Sequence, residues 1–135
     1  MISRIFGWSG KRLRVPRVDQ VDAAVFETAR CGVLREGLGF DMCDVAVITN
    51  IGIAHLEFMG TREAIAHEKG DLAVAVPAGG TVILNGADEF ADAIAQRTAA
   101  RVILAGVDRG ELQAREIVQT AEGAEFTVLE GAHRC

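Results

Sequence analysis

The sequence predicts an α/β fold: a largely parallel sheet with flanking helices, ending in an antiparallel hairpin. Three observations carry this. Short β-branched runs such as TVILN and RVILAGV alternate with segments of helical period, as parallel strands joined by crossover helices do. Turn residues close the runs, among them Thr49 with Asn50 and the stretch PAGG at Pro77 to Gly80. Toward the carboxyl end the pattern changes to apolar and polar residues alternating about AEGA, which predicts a hairpin with one face exposed.

Taken in order, DAAVFE from Asp22 and DVAVIT from Asp44 read as strands, the second with a buried apolar run from Val45 to Ile48. GTREAIAHEKGDLAVAV reads as a helix, with Thr61 at its amino-terminal cap and Glu63 in its first turn, ending before Pro77. TVILN is the next strand, DEFADAIAQRTA a second helix and RVILAGV another buried strand. LQAREIVQTAEGAEFTVLEG is the hairpin. The strands beginning near Asp22, Asp44, Thr81 and Arg101 are expected in one sheet, with their carboxyl ends at one edge.

A chain of 135 residues, half of them hydrophobic, is long enough for one domain with a core. No apolar run approaches the roughly 18 residues of a membrane span, and no secretory signal is legible, so a cytoplasmic soluble protein is expected. Cys31, Cys43 and Cys135 lack the close pairings that bind zinc and read as free thiols. A formal net charge of −5 argues against nucleic acid as a partner. Membrane is not expected either. The charge is uneven: Arg4, Lys11, Arg12, Arg14 and Arg17 all precede Asp19, setting off residues 1–17 as a basic arm. A targeting peptide, an anion-binding arm and a solvated end remain open for it.

Ligands of α/β sheets bind where loops converge at the carboxyl ends of the strands. Here those ends carry Glu27 and Thr28, then Thr49, Asn50 and His55, then Asn85 and Asp88. A carboxylate, an imidazole and amides gathered this way suit a hard cation and phosphates. Taken singly, each also suits a helix cap or turn. The helix after His55 adds an anomaly, because Lys69 shares the face of Ile65, Leu72 and Val76. Such a lysine snorkels or is used. Desolvation favours a neutral amine, and a neutral amine reacts with carbon dioxide to give a carbamate, a metal-binding anion.

TNIGIAHLEFMGTREAIAHEKGDL resembles the central domain of the Mur ligase family, in which a strand ends in Thr-Asn, a His follows five residues after the Asn and a Lys lies in the next helix. VDAAVFETARCGVLREGLGFDMCDVAVITNI is similar to the cyanophycin synthetase branch, and AHLEFMGTREAIAHEKGDLAVAVPAGGTVILNGADE to the branch that adds D-alanyl-D-alanine. The resemblance implies a P-loop-containing fold over residues 18–135 and an ATP-dependent ligase that joins a carboxylate to an amine, with ATP and Mg2+ as cofactors. It implies that Glu27 binds magnesium, that His55 and carbamylated Lys69 serve a second magnesium and the chemistry, and that Asn50, Asn85 and Asp88 line the nucleotide site.

The sequence departs from the family in its phosphate loop. GWSGKR keeps both glycines and Lys11, but Arg12 stands where the magnesium-binding hydroxyl belongs, and no adequate strand precedes it. The match reads as chance. Cys31 stands where the cyanophycin branch usually has glycine. The family's amine-binding carboxyl-terminal domain has no counterpart here. The expectation is therefore a partial central domain, inactive alone, that self-associates or complements other ligase segments. The alternative is a non-catalytic nucleotide-binding or interaction module built on that scaffold.

Overall fold

The computed structural model of the chain describes residues 3–4, 24–25, 41–53, 56–131 and 133–134. It divides into two units, Met1–Asp41 and Met42–Cys135. In the first, β1 (Ser3–Arg4) pairs in parallel with β2 (Ala24–Val25) as a two-stranded sheet. The second contains β3 (Val45–Ile48), α1 (Leu56–Met59), α2 (Arg62–Val74), β4 (Thr81–Asn85), α3 (Ala91–Ala95), β5 (Arg101–Val107), β6 (Leu112–Thr120), β7 (Gly123–Glu130) and β8 (His133–Arg134).

The second unit holds a six-stranded sheet in the order β3-β4-β5-β6-β7-β8. Pairing is parallel from β3 to β6 and antiparallel from there to β8, the mixed, mostly parallel sheet that the residue pattern predicts. One expectation fails among the described residues: the part of the Asp22 strand that they include, β2, pairs with β1 and not with this sheet. Among the described residues β3 is therefore the outer strand.

Burial follows from that position. Ala46 and Ile48 point into the core, but Val45 and Val47 are 56% and 55% exposed, so β3 is half-buried and not the fully buried run expected. In register, Ala46 lies beside Val82 and Val82 beside Val102, while Val47, Ile83 and Ile103 line the opposite face. The core joins Ala46, Ile48, Val82 and Leu84 to Ile65, Ala66 and Ala73 of α2 and to Ala91 and Ile94 of α3. Each fully buried aliphatic side chain, such as Ile65 or Leu84, stabilises by about 1.5–3 kcal/mol. Several α2 contacts are alanines, which let the helix lie close to the sheet.

Helix α2 starts as predicted: the Thr61 hydroxyl accepts from Ala64 N at 3.1 Å. Gly70 marks a close approach, though to a side chain and not to backbone. A Cβ there would lie 2.1 Å from Arg97 Nη1, whose guanidinium donates to His67 O and to the Asp71 carboxylate. Helix α3 is shorter than DEFADAIAQRTA suggests because Asp88 Oδ1 accepts from Phe90 N at 3.0 Å, holding Asp88 to Phe90 as a turn.

The hairpin of β6 and β7 forms about the Ala121–Glu122 turn as expected, with a register shift between Arg115 and Val118. It is more open than predicted. β5 pairs with β6 only through Ala114, and from Arg115 to Thr120 every residue is exposed. Strand β8, absent from the sequence reading, pairs with the end of β7. No helix among the described residues is long and apolar enough to cross a membrane. Cys43 is a free thiol; Cys31 and Cys135 lie outside the described residues.

Candidate functional site

Beyond Ile48 the ladder between β3 and β4 ends, and among the described residues the backbone of residues 49–51 pairs with no strand. Ile51 is nonetheless only 3% exposed, so its peptide groups need partners. Charged side chains provide them. Asp88 Oδ2 accepts from Ile51 N at 2.6 Å, Arg62 Nη2 donates to Ile51 O at 3.0 Å, and Lys69 Nζ donates to Asn50 O at 2.7 Å. Two of these come from α2 and one from the loop after β4, so the loop is held from two sides.

Asp88 and Arg62 are themselves anchored. Asp88 spends its other oxygen on Phe90 N. The Arg62 guanidinium lies over the Phe90 ring at 5.2 Å from its centre and pairs with Glu89. That ion pair is largely exposed and contributes little by itself. Asn85, at the end of β4, accepts from Ala87 N at 2.9 Å. The Asn50 side chain is exposed, and among the described residues its hydrogen-bond partner is the Thr49 hydroxyl at 3.4 Å. Beside Lys69, Glu68 is a buried carboxylate.

Of the expected site residues, Asn50, Lys69, Asn85 and Asp88 come together at the carboxyl edge of β3 and β4. Lys69 is half-buried with its amine on the loop, neither free in solvent nor lying idle across apolar surface. Glu27 and His55, and the GWSGKR stretch, lie outside the described residues. The described residues do not by themselves fit a magnesium ion. No group of three or more His, Cys, Asp or Glu among them is placed to hold a metal, and the Lys69 amine presents N–H donors to a carbonyl. Sequence reasoning missed Arg62, Glu89 and Phe90. The available signal was an arginine directly after the cap, a position that a helix gains nothing from making basic.

Residues 11–134 match the Mur ligase middle domain. The chain belongs to that family. Its sequence is 33% identical over 120 residues to the cyanophycin synthetase of a Synechocystis species, covering 83% of this chain and 14% of that protein. It is 48% identical over 59 residues to the UDP-N-acetylmuramoyl-tripeptide–D-alanyl-D-alanine ligase of Mycobacterium tuberculosis, covering 44% of this chain and 12% of that one. In fold it is similar to the MurF ligase of Thermotoga maritima solved in complex with ADP: TM-score 0.60, 21% identity, 70% of this chain and 22% of that one. The Mur-family chain thus spans less than a quarter of the length of each of these proteins.

Proposed function

We propose that the chain is the nucleotide-binding part of an ATP-dependent carboxylate–amine ligase of the Mur type. In that reaction a substrate carboxylate oxygen attacks the γ-phosphorus of ATP, giving an acyl phosphate and ADP. The amine then attacks the acyl carbon, phosphate departs, and the amide nitrogen loses its proton. The observation that carries the reading is the convergence of Asn50, Lys69 and Asp88 on one loop at the carboxyl edge of a parallel sheet. Family membership and the ADP held by the Thermotoga protein support it.

Asn50, Asn85 and Asp88 would line the nucleotide, with Lys69 and His55 near the reacting phosphoryl group. Magnesium belongs to this reading through Glu27, His55 and Lys69, the last only as a carbamate that exchanges N–H donors for oxygens. Residues 18–135 act as a partial central domain carrying the basic arm 1–17, in the cytoplasm. Its partners are small-molecule or peptide substrates, a carboxylate and an amine, together with further copies or complementing ligase segments.

Alone, the chain turns over slowly. Losing one electrostatic group around a transferring phosphoryl group typically costs about a hundredfold to a thousandfold in rate, and Arg12 replaces the hydroxyl in GWSGKR. A second reading, a binding module without catalysis, is favoured by the engagement of Lys69 and both Asp88 oxygens with backbone.

Thermal unfolding with and without ADP and magnesium tests the shared part. Saturating ligand at about a hundred times Kd should stabilise the chain by about 2.7 kcal/mol, and Asn50→Ala should shrink the shift. No shift at saturation would refute nucleotide binding. ADP release at about 1 per second or faster, in the range of phosphoryl-transfer enzymes, would refute the inactivity of the isolated chain.

A further inference from the structure

Arg62 is the first residue of α2. A cation there opposes the helix dipole, so helix stability does not account for an arginine at this position. Its contacts do. One guanidinium nitrogen donates to Ile51 O at 3.0 Å, another pairs with Glu89, the flat face rests on Phe90, and Nε is buried. The group is thus held from behind while it grips the carbonyl just after Asn50. A lysine could not do the same, since it has one nitrogen and no plane to stack.

We propose that Arg62 is a positioning residue of the nucleotide edge: it fixes the Asn50–Ile51 loop and through it the placement of the Asn50 side chain. The inference rests on the nucleotide reading above for its consequence, and on the Ile51 contact for its mechanism. Ile51 N is held by Asp88 and Asn50 O by Lys69, so removing Arg62 leaves one carbonyl of the clamp open while the rest persists. The expected result is a local loosening, not unfolding.

Two readouts on the whole chain test this: amide hydrogen exchange, and affinity for ADP with magnesium. In Arg62→Ala, exchange at Ile51 N–H should quicken about tenfold, the scale of a lost buried hydrogen bond, with protection at Val82 and Leu84 unchanged. ADP affinity should fall by a similar factor. Arg62→Lys should recover part of both, and Glu111→Gln, which breaks only the exposed ion pair with Arg101, should change neither. Should Arg62→Ala fail to fold, Arg62→Lys still reports the intermediate loss. Unchanged Ile51 exchange, or equal acceleration at Val82 and Leu84, would overturn the positioning role. If the unaltered chain binds no ADP yet Ile51 exchange responds to Arg62→Ala, the nucleotide reading fails while the positioning of the loop stands. If it binds ADP and Arg62→Ala binds equally with unchanged exchange, the reverse holds.

Discussion

Replacing Asp88 by alanine measures the scaffold role of this residue. Its carboxylate receives Ile51 N at 2.6 Å and Phe90 N at 3.0 Å. Hydrogen bonds to a charged group contribute about 1.5–3 kcal/mol each. The Phe90 bond is local, two residues along the chain, and belongs at or below the lower end of that range. The Ile51 bond spans from the β4–α3 loop to the end of β3 and serves a buried residue, so its loss also strands an amide. Together they predict a loss of about 2–4 kcal/mol for Asp88→Ala. Asp88→Asn keeps one acceptor but turns an N–H toward the other donor, and should cost about 1–2 kcal/mol. Urea unfolding at neutral pH, followed by far-ultraviolet circular dichroism, measures both. A loss below about 0.5 kcal/mol for the alanine variant, the level of an ordinary surface change, would refute the reasoning that Asp88 closes the loop.

Gly70→Ala forces Arg97 away from His67 O and Asp71, costing about 1–2 kcal/mol against a helix gain of about 1 kcal/mol. It should therefore be neutral to mildly destabilising alone but stabilising in an Arg97→Ala background; the same sign in both would exclude the clash. Gly110→Ala should cost at least about 2 kcal/mol, because φ is +90° and a Cβ would lie 2.3 Å from Leu104 O, which is backbone and cannot swing aside; wild-type urea resistance would contradict this. The Glu63 carboxyl is held below its ordinary value of 4.5 by its own backbone amide first, then by the Thr61 hydroxyl, with Arg62 adding to it against some desolvation. Its contribution is complete above that ordinary value and is lost as pH falls through the lowered one, so Glu63→Gln should lose that contribution at neutral pH and converge with the wild type at low pH, flattening the acid side of the stability profile; an identical acid slope would count against it. Finally, the exposed Val45 and Val47, continuous in register with Ile83 and Ile103, should drive self-association that Val47→Glu reduces; light scattering from a clean monomer at high concentration would argue otherwise.

What was legible in the sequence follows from the range of each signal. Strands β4 and β5 are β-branched runs closed by turn residues, and the α2 cap is a threonine acting three residues ahead, so all are local and all were found. The length of α3 was not, because it depends on whether Asp88 bonds Phe90 N or leaves that amide to the helix. Gly70 announced an anomaly in α2, but its cause, Arg97, lies beyond β4 and α3 and has no mark in the helical period. Arg62 has the same character, since its acceptor precedes it across α1 and is a backbone carbonyl that any residue would present.

The polar residues after β3 and β4 invited two readings, as turn caps or as ligands, and the geometry shows why both arise from one cause. Where the chain leaves its strand ladder, its next amide and carbonyl lose their ladder bonds while still close to the core. Water cannot reach a residue as buried as Ile51, so charged side chains converge on that backbone and bring a carboxylate, an ammonium and a guanidinium to the same edge. On the proposed function, the two cations of that gathering would also face a phosphate-bearing ligand. On that reading, nucleotide affinity and loop stability should therefore change together in variants of Asp88 and Arg62, and separate in Asn50→Ala, whose side chain is bonded among the described residues only to its neighbour Thr49. A weakened affinity for ADP in Asn50→Ala with unaltered urea resistance is the pattern that this coupling requires.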